Sequence, residues 1–312
     1  MNNLKKKIYI GVAVSSFNRD ISKYFKEKYQ NINFVYNNFQ RKLSKNELIN
    51  KFQKCSIIIA GTEIYDEEVL IKLNLLKLIS RVGVGVDNID LDFIKKKKIK
   101  LITNNSLLDQ SVVELIFSFI FHSVRPFIEM SNNLKNGVWS RNFGNLLSKK
   151  SIGIIGFGRI GKKLNKILNV LGSKTYINDI NIKLLKKYKI KNSSINFIYK
   201  SCDIIILCLS KSNENYLLDK DSMNLMKNNV TIINASRGSF INEDHLLMFL
   251  KKNILSRAYL DVFQKEPYSG PLTKLHNVYM TPHIGSYSVE SRNRLEYESI
   301  KKSLEALKIS TT

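Results

Sequence analysis

Short apolar runs alternate with helical patterns along nearly the whole chain, and this alternation constrains the fold more than any other feature. Runs such as Ile204–Leu207 contain only Ile and Leu, which is typical of parallel strands covered on both faces. The alternation predicts doubly wound α/β domains with parallel sheets. The predicted strands are Ile8–Val14, Ile32–Tyr36, Ser56–Ala60, Leu78–Val82, Lys100–Thr103, Ser151–Ile155, Lys174–Asn178, Asp203–Leu209, Val230–Asn234, Arg257–Asp261 and Val278–Thr281.

The predicted helices lie between these runs. Ser44 and Glu47 have the spacing of a capping box, and the segment Ser111–Arg125 opens with the same Ser-x-x-Glu spacing. This second segment is apolar on nearly all sides, so we expect it to be buried between domains or subunits. A charged helix from Ser288 to about Lys308 has no later domain to join and must pack on one already formed. Further helices are predicted at Ile21–Tyr29, Asp66–Leu73, Leu91–Lys97 and Lys162–Leu171.

The net charge raises the question of a nucleic-acid partner. The chain has 312 residues, enough for one large or two medium domains, and a formal net charge of +24. However, its lysines are scattered through almost every segment, and no basic run is interleaved with the aromatic residues that stack on bases. The longest run, Lys95–Lys98, lies at the end of a predicted helix, where cations favour the dipole. This distribution is typical of a solvated basic surface and argues against nucleic-acid binding.

Cysteine usage and apolar segments bear on the compartment. Cys55, Cys202 and Cys208 are odd in number and far apart, without metal-ligand spacing, so we expect free thiols in a reducing cytoplasm and no metal site. The run Lys5–Lys7 before the first strand resembles the start of a signal peptide, but no small-residue cleavage site follows cleanly. The apolar stretch Leu115–Val124 is too short to span a bilayer.

A glycine motif joins the predicted strand Ser151–Ile155 to a helix. Gly156, Gly158 and Gly161 form GxGxxG in its strand–turn–helix context. They would allow a tight turn, close approach of the backbone to a pyrophosphate, and close helix–strand packing. Asp179 ends the next strand, at the spacing expected for a carboxylate that binds ribose hydroxyls, which favours NAD over NADP. The alternatives are a tight turn without ligand and an ordinary turn residue at Asp179.

Three ionisable side chains follow strands in the second half of the chain. They are Arg237, Glu266 and His283, and ligands of open α/β sheets bind outside the carboxyl ends of the strands. Reduction of a carbonyl requires a proton, which a histidine can donate. A neighbouring carboxylate favours the protonated imidazole, and an arginine can bind a substrate carboxylate. Singly, each residue also has a structural explanation; the other histidines are His122, which we expect in a core or an interface, His245 and His276.

These motifs together resemble the D-isomer-specific 2-hydroxyacid dehydrogenases, in particular the phosphoglycerate dehydrogenase-like branch. The resemblance covers roughly residues 55–290. It rests on Arg81–Asp90, Ser111–Arg125, Gly137–Trp139, Gly153–Gly161, Ser236–Gly238, Asp261–Pro267 and Thr281–Gly285.

The resemblance implies roles for individual residues. Arg237, Glu266 and His283 are similar to the family's catalytic residues. The substrate carboxylate is expected on Arg237 and on the backbone of Val82, Gly83, Val84 and Gly85. NAD is expected to contact Gly156, Gly158, Arg159, Ile160, Gly161, Asp179, Cys208, Leu209, Ser210, Ala235, Arg237, Asp261, His283 and Gly285, with Asp261 and the Ala235 carbonyl near the nicotinamide carboxamide.

The resemblance also implies the architecture. A Rossmann cofactor domain, residues 99–284, is expected to be inserted into a flavodoxin-like substrate domain formed by residues 1–98 and 285–312. Members of the family are usually dimers through the cofactor domain, so a homodimer is expected. The implied reaction interconverts a small D-2-hydroxy acid and its 2-oxo acid with NAD.

The substrate and two departures from the family pattern leave alternatives open. The best single guess is 3-phosphoglycerate; otherwise an acid of the hydroxypyruvate or glyoxylate type is expected. The phosphoglycerate branch would have an arginine near Gly61, which is absent here, although Arg81 and Arg125 remain candidate phosphate partners. Leu209 and Ser210 replace residues usual at the adenine side, so cofactor affinity could differ. An NAD-sensing, co-repressor-like binding protein with little turnover, and an enzyme acting on formate or phosphite, are the alternative functions.

Overall fold

The computed structural model describes residues 7–104, 108–210 and 216–309. The strands are β1 Ile8–Val12, β2 Ile32–Tyr36, β3 Ile57–Ala60, β4 Leu78–Arg81, β5 Lys100–Thr103, β6 Ser151–Ile155, β7 Lys174–Asn178, β8 Ile204–Leu207, β9 Thr231–Asn234, β10 Arg257–Leu260 and β11 Val278–Met280. The helices are α1 Arg19–Lys28, α2 Lys45–Phe52, α3 Glu67–Lys72, α4 Leu91–Lys96, α5 Asp109–Val124, α6 Phe127–Lys135, α7 Arg159–Val170, α8 Ile182–Lys187, α9 Ile195–Ser201, α10 Lys220–Asn224, α11 Glu243–Lys252 and α12 Val289–Ala306. Short 3₁₀ helices lie at Leu147–Lys149, Gly238–Phe240 and Pro271–Lys274. Every strand predicted from the apolar runs is confirmed, while Lys5 and Lys6 of the basic start lie outside the described residues.

The chain divides into two compact units. The first comprises the described residues up to Leu108 together with those from Ser286 onward, and the second is Asp109–Gly285. The boundary differs from the predicted one because β5 pairs in parallel with β4, in the register Ser80↔Ile102. Lys100–Thr103 therefore belongs to the first sheet, and the chain leaves this unit about ten residues later than the resemblance implied.

The first unit is a parallel sheet in the order β2-β1-β3-β4-β5, which is the flavodoxin-like order. The helix α12 returns to it from the far end of the sequence. Its Leu295, Ile300 and Leu304 are buried with the apolar side chains of the first strands. The Ser80 hydroxyl donates a hydrogen bond of 3.1 Å to the carbonyl of Ser299. The unit is therefore completed by residues distant in sequence, as expected for an insertion.

The second unit is a parallel sheet in the order β11-β10-β9-β8-β6-β7. Outside β7, a short parallel bridge joins Ile177 to Asn192. This bridge occupies the position of a third strand, so the order of this half becomes that of a Rossmann sheet. The order of strands reverses between β6 and β8, and the crevice expected for a ligand lies at their carboxyl ends.

Two helix starts test the capping predictions. Ser44 and Glu47 form the predicted capping box, with both reciprocal hydrogen bonds present. The prediction for Ser111 was wrong, because α5 begins two residues earlier, at Asp109, and Ser111 is buried within its first turn. Ser111 therefore lies inside the helix and does not cap its start.

No single helix among the described residues is long and apolar enough to cross a membrane; α5 and α6 would pass that test together, but the chain bends by 64° between them. Among the same residues, no group of three or more His, Cys, Asp or Glu side chains is arranged to hold a metal ion.

Candidate active site

The glycine loop of the second unit follows β6 and leads into α7. Gly156 has φ +103°, and a Cβ there would lie 2.5 Å from the Cys208 carbonyl oxygen. A Cβ on Gly161 would lie 2.1 Å from the Gly156 carbonyl oxygen. Both positions therefore need glycine, because another main-chain segment approaches each of them closely. Gly156 also needs it for its positive φ.

Gly158 differs from these two glycines because a Cβ there would meet nothing within 4 Å. It is the N-cap of α7, and no side chain caps this helix end. The N-cap residue therefore supplies no side-chain acceptor to the first N–H groups of α7. An uncapped helix N-terminus beside a glycine fits a pyrophosphate, since the N–H groups and the helix dipole favour an anion.

Asp179 follows β7 and is joined to the glycine loop. Its Oδ2 accepts a hydrogen bond of 2.5 Å from the Phe157 N–H, and its Oδ1 accepts one of 2.7 Å from the Asn181 N–H. Its own N–H donates to Asn192 Oδ1 at 3.2 Å. Asp179 therefore does act as a turn residue, and the same contacts hold its half-buried carboxylate beside the loop predicted to bind phosphates.

Arg159 is the first residue of α7. Its Nε donates to both carboxylate oxygens of Asp109, at 3.1 and 2.9 Å. Asp109 is buried, whereas the Arg159 side chain is about half exposed. Asp109 could not be predicted as part of the site, because nothing in the spacing of an acid fifty residues upstream indicates this contact. Ile160, the next residue of α7, is half-buried.

Cys208, Leu209 and Ser210 follow β8 at the crevice. The Cys208 carbonyl lies against Gly156, and burial raises the pKa of the Cys208 thiol to about 12. The thiol is therefore neutral near pH 7 and suits a passive lining role. Leu209 is half-buried and Ser210 is exposed.

The turn that carries Arg237 is fixed by Asn234, the last residue of β9. Asn234 Oδ1 accepts from the Ser236 N–H at 3.0 Å, and Asn234 Nδ2 donates to the Arg237 carbonyl at 2.8 Å. The Ser236 hydroxyl donates to the Leu207 carbonyl at 2.5 Å. These bonds hold Ala235 and Arg237, both half-buried, at the carboxyl end of the sheet.

Asp261 follows β10 and organises the turn that carries the histidine. Its buried carboxylate accepts from the Thr281 hydroxyl at 2.6 Å and from the N–H groups of Ile284 and Gly285 at 2.7 and 2.9 Å. Burial raises the pKa of Asp261, although these hydrogen bonds oppose the rise. Asp261 thus fixes the turn on both sides of His283. Its contact with a nicotinamide carboxamide stays a prediction.

His283 and Glu266 form a hydrogen-bonded pair. The His283 Nδ1 lies 2.8 Å from Glu266 Oε2, and Glu266 Oε1 accepts from the Phe263 N–H at 3.1 Å. Burial raises the pKa of Glu266, but the hydrogen bond and charge of His283, the Phe263 N–H and the charge of Arg237 outweigh burial and lower it. The three predicted catalytic side chains are therefore close enough to act on one another.

Because Nδ1 of His283 contacts Glu266, the second ring nitrogen, Nε2, is available for proton transfer. This Nε2 has no hydrogen-bond partner among the residues described, and 44% of the side chain is exposed. By contrast, His122 is buried between Tyr259 and Glu129, at 2.8 and 2.9 Å, which confirms its expected place in a core. His245 accepts from the Lys220 N–H at 3.1 Å.

The predicted carboxylate-binding loop, Val82 to Gly85, belongs to the first unit and follows β4. Arg81 holds it, since its Nη1 donates to the Val82 carbonyl at 2.6 Å and its Nε donates to the Gly85 carbonyl at 3.1 Å. The guanidinium lies against Gly83, where a Cβ would be 2.7 Å from Nη1. Arg81 therefore shapes the loop, and its contact with a substrate phosphate stays a prediction.

Comparison with known proteins agrees with this geometry. Residues 117–285 match the model of the D-isomer specific 2-hydroxyacid dehydrogenase, NAD binding domain. A D-3-phosphoglycerate dehydrogenase of Methanocaldococcus jannaschii is 32% identical over 84% of this chain, and the chain spans about half, 52%, of that relative. A glyoxylate reductase of Thermococcus litoralis is 31% identical over 80% of the chain and 79% of the relative. A D-lactate dehydrogenase from Aquifex aeolicus, complexed with NAD and lactic acid, superposes with a TM-score of 0.82 at 25% identity, covering 96% of this chain and 95% of that one.

The chain belongs to the D-isomer specific 2-hydroxyacid dehydrogenase family. It is an NAD-dependent oxidoreductase of the class that acts on a CH–OH group, which favours the enzyme interpretation over an NAD-sensing binding protein.

Proposed function

We propose that this enzyme reduces a small 2-oxo acid to the D-2-hydroxy acid, or catalyses the reverse, with His283, Glu266 and Arg237 as its catalytic residues. The observation that carries the proposal is the hydrogen-bonded pair of His283 and Glu266. The charge of Arg237 acts on Glu266 and lowers its pKa. All three residues follow strands of the unit that contains the glycine loop. The same unit is proposed as the cofactor domain, and the first unit as the substrate domain.

Each residue of the site has its own role in the proposed reaction. NAD, when bound, supplies or accepts the hydride; the loop Gly156–Gly161 and the open end of α7 would hold its phosphates, and Asp179 its ribose. His283 Nε2 donates a proton to the substrate carbonyl oxygen during reduction and removes it during oxidation. Glu266 orients the imidazole through Nδ1 and stabilises its protonated form. Arg237 binds the substrate carboxylate.

The test follows NADH absorbance with glyoxylate, pyruvate, hydroxypyruvate and 3-phosphohydroxypyruvate. We expect saturable NADH oxidation with at least one acid, and His283→Ala should lower kcat by roughly 10²–10⁴-fold with NADH binding nearly unchanged. The matched control is His276→Ala, because that side chain is exposed. An unchanged kcat in His283→Ala would remove this residue from the mechanism. Tight NADH binding with no turnover of any acid would count against the proposed reaction.

We also propose that the protein is a homodimer and that α6 and the segment after it form the contact. None of the α6 residues is buried. Phe127 is 57% exposed, Trp139 74% and Phe143 fully exposed. Clustered apolar exposure of this kind marks an interaction surface, and a second copy of the chain is the partner we propose, because it carries the same apolar surface.

Light scattering after gel filtration tests the dimer. The double variant Trp139→Ser and Phe143→Ser should elute as a monomer, whereas Phe39→Ser, which removes an exposed apolar side chain of the first unit, should not. A monomeric wild type would refute the proposal.

A cytoplasmic location is proposed too, on the three free cysteines.

A further inference from the structure

The inference concerns the distribution of acidic residues in the second unit. The lysines are scattered through the whole chain, but the acids are not. Between Glu129 and Asp203 the chain contains fifteen Lys and Arg residues and a single acid, Asp179. An even spread of the 26 acids of the chain would place about six of them in this stretch. The stretch, which includes the glycine loop, therefore carries more than half of the net charge of +24.

Two lysines of this stretch follow the glycine loop directly. Lys162 and Lys163 lie near the start of α7, whose N-terminus is proposed to hold the cofactor phosphates. The Lys162 Nζ lies 4.5 Å from the centroid of the Tyr188 ring. This ring packs edge-on against Phe157 of the loop, with the two centroids 5.8 Å apart. The end of α8, where Tyr188 is the C-cap, therefore lies close to the glycine loop.

Three more lysines lie on α8 itself. They are Lys183, Lys186 and Lys187, and all three are exposed. This helix follows Asp179 at the carboxyl end of β7, so its lysines lie at the same edge of the sheet as the loop. We call the following five residues the lysine rim: Lys162, Lys163, Lys183, Lys186 and Lys187.

The carboxylates nearest in sequence to the lysine rim have other partners. Asp179 accepts hydrogen bonds from main-chain N–H groups. Asp109 pairs with Arg159 at 2.9 Å, and Asp203 pairs with Lys227 at 2.8 Å. Within the described ranges of the chain, no lysine of the rim forms an ion pair. The positive charges of the rim are therefore not neutralised locally, and they add to the positive end of the α7 dipole.

Such a field acts on an anionic ligand before it is bound. The pyrophosphate of the dinucleotide carries negative charge on both phosphates, and a surface of one opposite sign can raise an association rate by about 10–10³-fold. Lysine suits this task, because its strongly hydrated ammonium group is a point charge on a flexible stem and needs no fixed geometry. The rim is thus suited to attract the cofactor without contacting it in the bound state.

We propose that the lysine rim forms an electrostatic funnel that accelerates the capture of the anionic dinucleotide by the glycine loop. This rests on the proposed placement of the cofactor phosphates at that loop. The rim changes the association rate constant of NADH and leaves its dissociation rate constant nearly unchanged, as is typical of charges at the edge of a binding site. The effect weakens with salt, because the Debye length falls from about 30 Å at 0.01 M to about 8 Å at 0.15 M ionic strength.

The test measures NADH binding to the full chain by stopped-flow fluorescence at increasing NADH and salt concentrations. The wild-type association rate constant should fall about 10-fold or more between about 0.01 and 0.5 M salt. The triple variant Lys183→Gln, Lys186→Gln and Lys187→Gln should lower this constant about 3- to 10-fold at the lowest salt. At the highest salt it should bind NADH as fast as the wild type, since the field is then screened in both.

The matched control removes the same charge from the opposite edge of the sheet. Lys251 and Lys252 lie in the last turn of α11, and Lys274 lies before the start of β11. All three side chains are exposed. The triple variant Lys251→Gln, Lys252→Gln and Lys274→Gln should keep the wild-type association rate constant within about 2-fold.

A wild-type association rate constant that does not change with salt overturns the inference without any variant, so a poorly folding triple variant does not protect it. For variants whose thermal unfolding shows them to be folded, two further results overturn it. Equal losses in both triple variants would assign the effect to the net charge of the chain. Faster dissociation with unchanged association would assign the α8 lysines to contacts with bound NADH. Failure of the proposed phosphate site looks different, since Gly158→Ala would then bind NADH like the wild type.

Discussion

The Glu266–His283 pair gives the sharpest test of the proposed chemistry, through the pH dependence of Glu266→Gln. In the wild type, the carboxylate lies 2.8 Å from Nδ1 and stabilises the protonated imidazole that reduction requires. The amide keeps the shape of the side chain but removes the charge. Reduction should therefore fail at a lower pH in the variant than in the wild type.

The size of the effect follows from the distance and the exposure. Unit charges 2.8 Å apart interact by about 1.5 kcal/mol at the dielectric constant of water. The side chains are 44% and 35% exposed, so solvent screens the pair and this value applies. One pH unit corresponds to about 1.36 kcal/mol. The alkaline limb of kcat/KM for reduction should thus move down by about one pH unit.

The low-pH side follows from the sign of the shift on Glu266. Its pKa is lowered from the ordinary 4.5, so the carboxylate's contribution to stability is present above about pH 4.5 and is lost as the pH falls through the lowered value. Any loss of activity on the acidic side near neutrality would therefore not report the protonation of Glu266.

The assay is a series of initial rates of NADH oxidation against pH with the best 2-oxo acid. Glu290→Gln, which removes an exposed carboxylate of α12, serves as the control and should keep the wild-type profile. If the alkaline limb of Glu266→Gln coincided with that of the wild type while kcat fell, the carboxylate would act on position alone, and the electrostatic reasoning would be refuted.

Two further predictions concern the cofactor loop. Gly161→Ala places a Cβ 2.1 Å from the Gly156 carbonyl oxygen, so both the melting temperature and the NADH affinity should fall. Gly158→Ala meets open space and should lower NADH affinity about 10-fold or more with the melting temperature nearly unchanged. Calorimetry and NADH fluorescence titration separate the two effects, and an NADH affinity of Gly158→Ala equal to that of the wild type would contradict phosphate binding there. Asp179→Asn should weaken the preference for NADH over NADPH by about 10-fold in kcat/KM, and tighter NADPH binding by the wild type would refute the assignment of Asp179.

The apolar pattern predicted the strands because a parallel strand covered on both faces needs a continuous apolar run. The runs Ile204–Leu207 and Ile57–Ala60 are apolar at every position, as such a strand requires. The edge of the second sheet was not predictable, because Asn192 completes it through a single bridge to Ile177 without any apolar run. The expected boundary at residue 98 left the predicted strand Lys100–Thr103 outside the first unit, whereas this strand pairs with β4; pairing partners are set by tertiary contacts that no local pattern encodes.

In the site, residues that precede or follow strands were predictable, while their supports were not. Arg237, Glu266 and His283 could be found because they are chemically useful and lie at strand ends. Asn234 and Asp109 could not, since a buried polar side chain that accepts from main chain or from a distant arginine carries no sequence signal. The hydrogen bonds of Arg81 to the carbonyls of its own loop could not be predicted either, because its charge suggested a ligand and no sequence pattern indicates a backbone acceptor.

The return of α12 to the first unit has a consequence for biosynthesis. During translation, the strands of this unit emerge first, yet Leu295, Ile300 and Leu304, which pack on them, are made only after the whole of Asp109–Gly285. The Ser80 hydroxyl likewise cannot form its hydrogen bond until Ser299, whose carbonyl accepts it, has been made.

The second unit is continuous in sequence and can therefore form on the ribosome before the first is complete. Until α12 arrives, one face of the first sheet is covered only in part, by α1, and its remaining apolar side chains are available to chaperones or to wrong partners. The order in which the chain is made is thus the reverse of the order in which its two units can be finished.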